Sequence, residues 1–201
     1  MKLKEIIYDN IPYVAPSWDQ MGVICFELAQ QIIKSGKKYD RVVALAKGGW
    51  TWARALVDYL DIDQIASVQI KFYNDVYKTE NKPVILQSLS VSIENENILL
   101  FDDVVDSGTT FEVAKEYLKK CGAKSVDTAA LFYKPHAQAK PDFYLYETKA
   151  WVIFPHEIRE IVKQAGKKWL ESGLSKEKVL ARFKALDLPM EQIEYFLNYM
   201  T

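Results

Sequence analysis

"ILLFDDVVDSGTTFEVAKEYL", residues 98–118, decides the fold. Residues 98–101 form a continuous apolar run, as expected of a strand buried on both faces. The run ends in Asp102 and Asp103, and Asp106 follows almost at once. Ser107, Gly108, Thr109 and Thr110 make a small-residue turn, and a helical stretch begins there. The N–H groups in a helix's first turn lack internal partners and carry positive partial charge. Small residues let a phosphate come close, and hydroxyls add donors. The turn therefore reads as a phosphate cradle, although the Gly-Lys-Thr of a P-loop is absent. Carboxylates just upstream would repel that phosphate unless they face sugar hydroxyls or a Mg²⁺ ion. A phosphorylated sugar with free hydroxyls meets both demands. An Asp ahead of a helix is often only a cap. Three Asp within five residues exceed what one cap requires.

Working outward, strands and helices alternate. "SWDQ" (17–20) is a capping box, with Ser17 as N-cap and Gln20 three residues on. Trp18, Met21, Cys25, Leu28 and Ile32 follow at helical spacing, and Ser35-Gly36 ends that helix. "RVVALA" (41–46) predicts a buried strand, "KGG" (47–49) a tight turn and "WTWARALVDYL" (50–60) a helix. Strands are expected over 65–73, 84–91, 97–101 and 125–133, with a helix over 109–120. Two further short strands are expected near 143–147 and 151–154. The polar, aperiodic stretch 74–83 reads as a loop, and residues 1–16, with Pro12 and Pro16, as an extended lead-in. Such alternation calls for a parallel sheet covered on both faces. Ligands of such sheets bind beyond the carboxyl ends of the strands. The segments 47–49, 102–109 and 134–141 should then share one rim.

The tail differs. Ile158, Ile161, Val162, Ala165 and Trp169 fall on one helical face, and Gly173 and Ser175 break and recap. Val179, Leu180, Phe183 and Leu186 mark a second helix, and Pro189 opens a third with Ile193, Phe196 and Leu197. These stripes predict packing against the domain or a partner chain.

A chain of 201 residues allows one sizeable α/β domain with a small appendage. A net charge of −1 suggests neither a nucleic-acid nor a membrane surface. No apolar run approaches the ~20 residues that span a bilayer. "MKLKEIIYDN" lacks the apolar core of a signal peptide, so a cytoplasmic protein is expected. Cys25 and Cys121 match no metal or redox spacing and read as reduced structural thiols. His136 and His156 likewise have no metal spacing and read as polar surface groups.

"ILLFDDVVDSGTT" resembles the phosphoribosyl diphosphate (PRPP) motif of type I phosphoribosyltransferases. "ALAKGGW" (44–50) resembles that family's pyrophosphate loop. "PSWDQM" (16–21), "LFYKP" (131–135) and "AWVIFPHE" (150–157) resemble the xanthine-guanine branch and its archaeal 6-oxopurine relatives. The resemblance covers roughly residues 13–157. It implies a phosphoribosyltransferase domain over 1–157, with a flexible hood at about 74–83, and a helical extension over 158–201. It further implies a Mg²⁺-dependent pentosyltransferase of purine salvage. Such an enzyme takes PRPP and a purine base, releases pyrophosphate and yields a nucleoside monophosphate. A homo-oligomer is expected. The alternatives are a phosphoribosyltransferase for another base, or a non-catalytic regulator that senses PRPP or nucleotides.

By the same resemblance, Ser107, Gly108, Thr109 and Thr110 bind the 5′-phosphate, with the Asp106 backbone assisting. Asp102 and Asp103 engage the ribose hydroxyls and the Mg²⁺ shell, and Glu157 helps hold a second metal. Asp106 lies near the purine N7 as general acid/base. Lys47, Gly48 and Gly49 cradle the pyrophosphate, next to a cis peptide at Ala46-Lys47 or Lys47-Gly48. Lys134 donates to the 6-oxo group, Trp151 stacks on the purine and the Val152 backbone meets the base edge. Tyr73 stands at the entrance to the hood. Lys47 takes a place where the family often has Arg, and His156 one where it usually has Trp.

Overall fold

The computed structural model describes residues 2–73 and 82–200. It divides into two compact units, Gly22–Thr148 and the pair of segments Met1–Met21 and Lys149–Thr201. The helical tail after residue 157 thus belongs to a unit that also takes in the start of the chain.

The unit Gly22–Thr148 is built on a six-stranded sheet. Its strands are β3 (Arg41–Ala46), β4 (Ile65–Tyr73), β5 (Lys82–Gln87), β6 (Asn97–Val105), β7 (Ser125–Tyr133) and β8 (Phe143–Glu147), in the order β5-β4-β3-β6-β7-β8. All pairings are parallel except β4 with β5. An antiparallel edge strand on an otherwise parallel sheet is a common arrangement. β5 begins and ends earlier than the run 84–91 suggests. The central strands are apolar along their length because both faces are covered. Val43, Leu45, Ile98, Leu100, Val126 and Ala130 join Phe111, Ala114 and Leu118 of α3 (Thr109–Lys120) in one buried cluster. Strand alternation turns Val42, Ala44, Leu99 and Phe101 to the other face, and these too are buried.

The helix α1 (Trp18–Lys34) starts where the capping box places it. Ser17 N–H donates to Gln20 Oε1 at 2.9 Å, and Gln20 N–H to Ser17 Oγ at 3.2 Å. Its apolar stripe of Met21, Ile24, Cys25, Leu28 and Ile32 is fully buried. Helix α2 (Gly48–Leu60) packs on β3 and β6.

The other unit holds a three-stranded sheet of β1 (Glu5–Tyr8), β2 (Ile11–Val14) and β9 (Trp151–Val152). β1 and β2 form a hairpin rather than the expected extended lead-in. Its two-residue turn, Asp9-Asn10, has φ of 52° and 64°, the left-handed pair that favours Asp and Asn in tight hairpins. β9 runs parallel to β2, with Tyr13 opposite Trp151 and Val14 opposite Val152.

The tail carries α4 (Ile158–Ile161), a π-helical stretch Val162–Gly166, α5 (Lys167–Glu171), α6 (Lys176–Ala185) and α7 (Met190–Met200). Ile158, Ile161, Val162, Ala165 and Trp169 all enter one core with Val179, Phe183, Ile193 and Leu197. Ser175 caps α6, accepting from Lys178 N–H. Among the described residues no helix is long and apolar enough to cross a membrane.

Candidate active site

The loops after β3, β6 and β7 leave the carboxyl ends of three adjacent parallel strands. The peptide bond Ala46-Lys47 is cis. Gly48 and Gly49 do not form a separate turn before the helix, as the sequence suggested, but its first turn. The structure shows why both are glycine. A Cβ on Gly48 would lie 2.6 Å from Asp103 Oδ1, and one on Gly49 would lie 2.8 Å from the Phe101 carbonyl oxygen. The pyrophosphate-loop candidate is therefore packed directly onto the acidic end of β6. The Gly49 N–H donates to the Asp102 carboxylate. The Asp103 N–H donates to Asp102 Oδ1 at 3.0 Å, so Asp102 ties the two loops together.

Asp102 and Asp103 are desolvated neighbours. Burial and the Asp103 charge hold the Asp102 carboxyl well above the usual carboxylate range. Burial also raises Asp103. Two adjacent carboxylates of this kind supply hard oxygen donors and repel each other, and a divalent cation relieves that repulsion. The donor set fits Mg²⁺.

Beyond them the chain opens. Asp106 and Ser107 are exposed, and Gly108 takes φ 83° at the start of α3. Gly108, at the N-cap position, supplies no side-chain cap. Thr109 N–H donates to Ser107 Oγ at 3.3 Å, and Gln138 N–H to the Ser107 carbonyl at 2.9 Å. A Cβ on Gly108 would meet Ala139 N at 2.8 Å, so segment 137–139 braces the turn from behind.

Lys134 leaves the end of β7 with its N–H donating to the Val105 carbonyl at 2.8 Å. Its side chain is buried, and desolvation lowers its pKa while the charge of Asp106 opposes the shift. His136 Nε2 lies 2.8 Å from Asp106 Oδ1. His136 is exposed, as its sequence context suggested, and from the surface it reaches Asp106. Its position after the β7 strand end, next to the β6 loop in sheet order, was the available signal.

Trp151, Val152 and Glu157 lie in the unit formed by Met1–Met21 and Lys149–Thr201, and Tyr73 in Gly22–Thr148. The Trp151 ring is stacked on Tyr13 with centroids 6.0 Å apart and planes at 19°. Val152 is buried in β9, and Ile153 N–H donates to the Val14 carbonyl at 2.8 Å. Glu157 sits at the N-terminus of α4, its N–H donating to the Phe154 carbonyl at 3.0 Å. His156 is stacked on Phe154 and tilted against Trp18, and burial lowers its pKa. The backbone of Tyr73 ends β4, opposite Lys82. The expected hood falls outside the described residues as far as residue 81, and residues 82–83 open β5.

The phosphoribosyl transferase domain family matches residues 17–160, most of the chain and every element that borders this rim. The chain is a member of the phosphoribosyltransferase family.

A xanthine-guanine phosphoribosyltransferase of Gluconobacter oxydans is 28% identical to this phosphoribosyltransferase over 148 residues, 73% of this chain and 85% of that protein. The crystal structure of a purine phosphoribosyltransferase from Pyrococcus horikoshii is 33% identical, with a TM-score of 0.65 over 71% of this chain and 93% of that one. A hypothetical protein from Neisseria gonorrhoeae with bound ppGpp is 25% identical, with a TM-score of 0.63 over 71% of this chain and 89% of that one. The phosphoribosyltransferase match ends at residue 160, ahead of the π-helical stretch and the helices after it.

Proposed function

We propose that this phosphoribosyltransferase transfers the phosphoribosyl group of PRPP to a 6-oxopurine base, namely hypoxanthine, guanine or xanthine. It releases pyrophosphate and a nucleoside monophosphate, as a cytoplasmic homo-oligomer of purine salvage. The observation that carries the reading is Lys134, a buried cation beside the charge of Asp106 at the rim where Asp103 meets Gly48. A lysine ammonium is a donor only and suits a 6-oxo acceptor. The names of the Gluconobacter and Pyrococcus relatives support the same substrate class.

In this reading Ser107, Gly108, Thr109 and Thr110 bind the 5′-phosphate at the start of α3. Lys47, Gly48 and Gly49 take the pyrophosphate at the start of α2, where Lys47 supplies no side-chain cap. Asp102 and Asp103 engage the ribose hydroxyls and the Mg²⁺ shell, and Glu157 helps hold a second metal. Bound Mg²⁺ would neutralise charge on the departing pyrophosphate. Asp106 exchanges a proton with the purine N7. Trp151 offers its ring to the base, and the Val152 backbone meets the base edge. Tyr73 stands where the hood begins. The chain's work is to hold leaving group, sugar and base in line, which is positioning and electrostatics.

The test is nucleotide formation from PRPP with Mg²⁺ and a panel of hypoxanthine, guanine, xanthine, adenine and orotate. Nucleotide product from the 6-oxopurines is expected. Product from adenine or orotate alone would overturn the choice of base, and no product from any base would overturn catalysis.

A further inference from the structure

The unit formed by Met1–Met21 and Lys149–Thr201 contains a continuous line of aromatic contacts. Trp151 lies on Tyr13 at 6.0 Å and 19°. Tyr13 meets the edge of Trp169 at 6.0 Å and 70°. Trp169 also meets Tyr8 edge-on at 5.5 Å and 75°. The Arg182 guanidinium covers both Trp169 and Tyr8, 4.9 and 4.7 Å from the ring centroids. Asp9 in the hairpin turn holds Arg182 through two bonds of 2.6 and 3.2 Å. Behind Trp169 stands Phe183, whose ring would be 3.1 Å from a Cβ on Gly166. Tyr13 and Trp169 are each 2% exposed, whereas Trp151 is 38% exposed. The line is thus anchored in the tail and ends in a ring partly open to solvent.

The strand that carries Trp151 has only two residues and cannot by itself fix the tilt of a large ring. The parallel register of β2 with β9 sets Tyr13 directly opposite Trp151. Offset stacking at this separation selects one orientation of the ring. Trp169 and Arg182 both follow residue 160, where the family match ends, and Tyr13 precedes residue 17, where it begins.

We propose that Tyr13 is a positioning residue for the base-binding ring of Trp151, and that the helical tail serves the reaction by holding Tyr13 through Trp169. This rests on the reading that Trp151 carries the base. A platform fixed in advance binds a flat heterocycle without first having to order its own side chain. The effect belongs to the base and not to PRPP, whose proposed ligands lie in the segment Gly22–Thr148.

Steady-state kinetics on the full chain separate this role from plain core packing. Tyr13→Leu should raise KM for hypoxanthine and guanine by roughly three- to ten-fold. KM for PRPP and kcat should stay within about two-fold. Tyr13→Phe keeps the ring and should restore the wild-type KM for base. Trp169→Phe should move KM for base in the same direction by a smaller factor. If Tyr13→Leu does not fold, Tyr13→Met, flexible and of similar reach, takes its place. An unmoved KM for base in the folded variant would overturn the proposal. So would KM values for base and PRPP that rise together, or a Tyr13→Phe variant no better than Tyr13→Leu. A wild-type chain that converts no 6-oxopurine would overturn the substrate reading and this inference with it, and that failure is visible before any variant is made.

Discussion

Asp106 Oδ1 accepts the imidazole of His136 at 2.8 Å, across loops that leave the neighbouring strands β6 and β7. The contact gives the proposed acid/base a fixed neighbour on an otherwise open rim. Both side chains are mostly exposed, and exposed pairs contribute only about 0–1 kcal/mol. His136→Ala should therefore lower kcat by no more than about five-fold. Asp106→Asn should lower it by roughly 10²–10⁴ while PRPP still binds. Measured kcat and PRPP affinity for both variants decide the matter. Comparable losses would mean that His136 itself handles the proton.

The glycines of the rim and of α1 should behave in opposite ways. A Cβ on Gly49 would press on the Phe101 carbonyl oxygen, which is backbone and cannot step aside. Gly49→Ala should cost about 1–3 kcal/mol in a urea titration, as overpacking does, and weaken pyrophosphate binding. A Cβ on Gly22 would meet nothing within 4 Å, and Gly22 lies inside α1. Gly22→Ala should stabilise by roughly 0.5–1 kcal/mol. Equal stability of the two variants would show that the close approach at Gly49 is not required.

Base choice should follow Lys134. A 6-oxo group accepts from the ammonium, whereas the 6-amino group of adenine sets donor against donor. Leaving both unpaired costs ~1–3 kcal/mol, or about ten- to several-hundred-fold in kcat/KM. Lys134→Gln can turn an amide oxygen towards an amino group. It should narrow the gap between 6-oxopurines and adenine, mainly by losing activity on the former. The assay is kcat/KM for hypoxanthine, guanine, xanthine and adenine with both proteins. A ratio unchanged by the substitution would remove Lys134 from the 6-position.

The same lysine makes a prediction about stability and pH. Desolvation holds its folded pKa below the ordinary 10.5, against the opposing charge of Asp106. Below the folded value the penalty is fully present. Between the folded value and 10.5 the unfolded chain binds more protons, so this group makes stability rise with pH. Lys134→Met should thus be more stable than wild type at neutral pH, with the advantage shrinking as the pH approaches 10.5. Urea titrations of both proteins across that range provide the check. A Met variant less stable at neutral pH would show that the ammonium is net favourable where it sits.

Local signals were legible, and distant pairings were not. The capping box at Ser17 and Gln20 formed as read, because both partners lie within one helical turn. The buried strands announced themselves because parallel strands covered on both faces are apolar along their length. The start of α2 was misplaced at Trp50, since two glycines look like a turn until the strand end that they pack against is known. The Asp9-Asn10 hairpin had a local signal, two turn-formers between apolar pairs, and the nearby prolines outweighed it. Pairing of β2 with β9 joins residues far apart in the chain, and no sequence period encodes it. His136 and Asp106 likewise meet only through the neighbouring positions of β6 and β7 in the sheet.

One unit is continuous in the chain, Gly22–Thr148, and the other is assembled from Met1–Met21 and Lys149–Thr201. During synthesis the β1–β2 hairpin leaves the ribosome well before β9, its parallel partner. At ~5–20 residues per second the wait is on the order of ten seconds. Throughout that wait Tyr13 and Ile6 have no tail core to enter, and by its end the segment with both proposed phosphate-binding turns has been made. Birth order therefore separates the two tasks. A ribosome that stalls soon after residue 148 leaves a continuous sheet unit and an orphaned hairpin, and the line from Trp151 through Tyr13 to Trp169 cannot form until the tail is made.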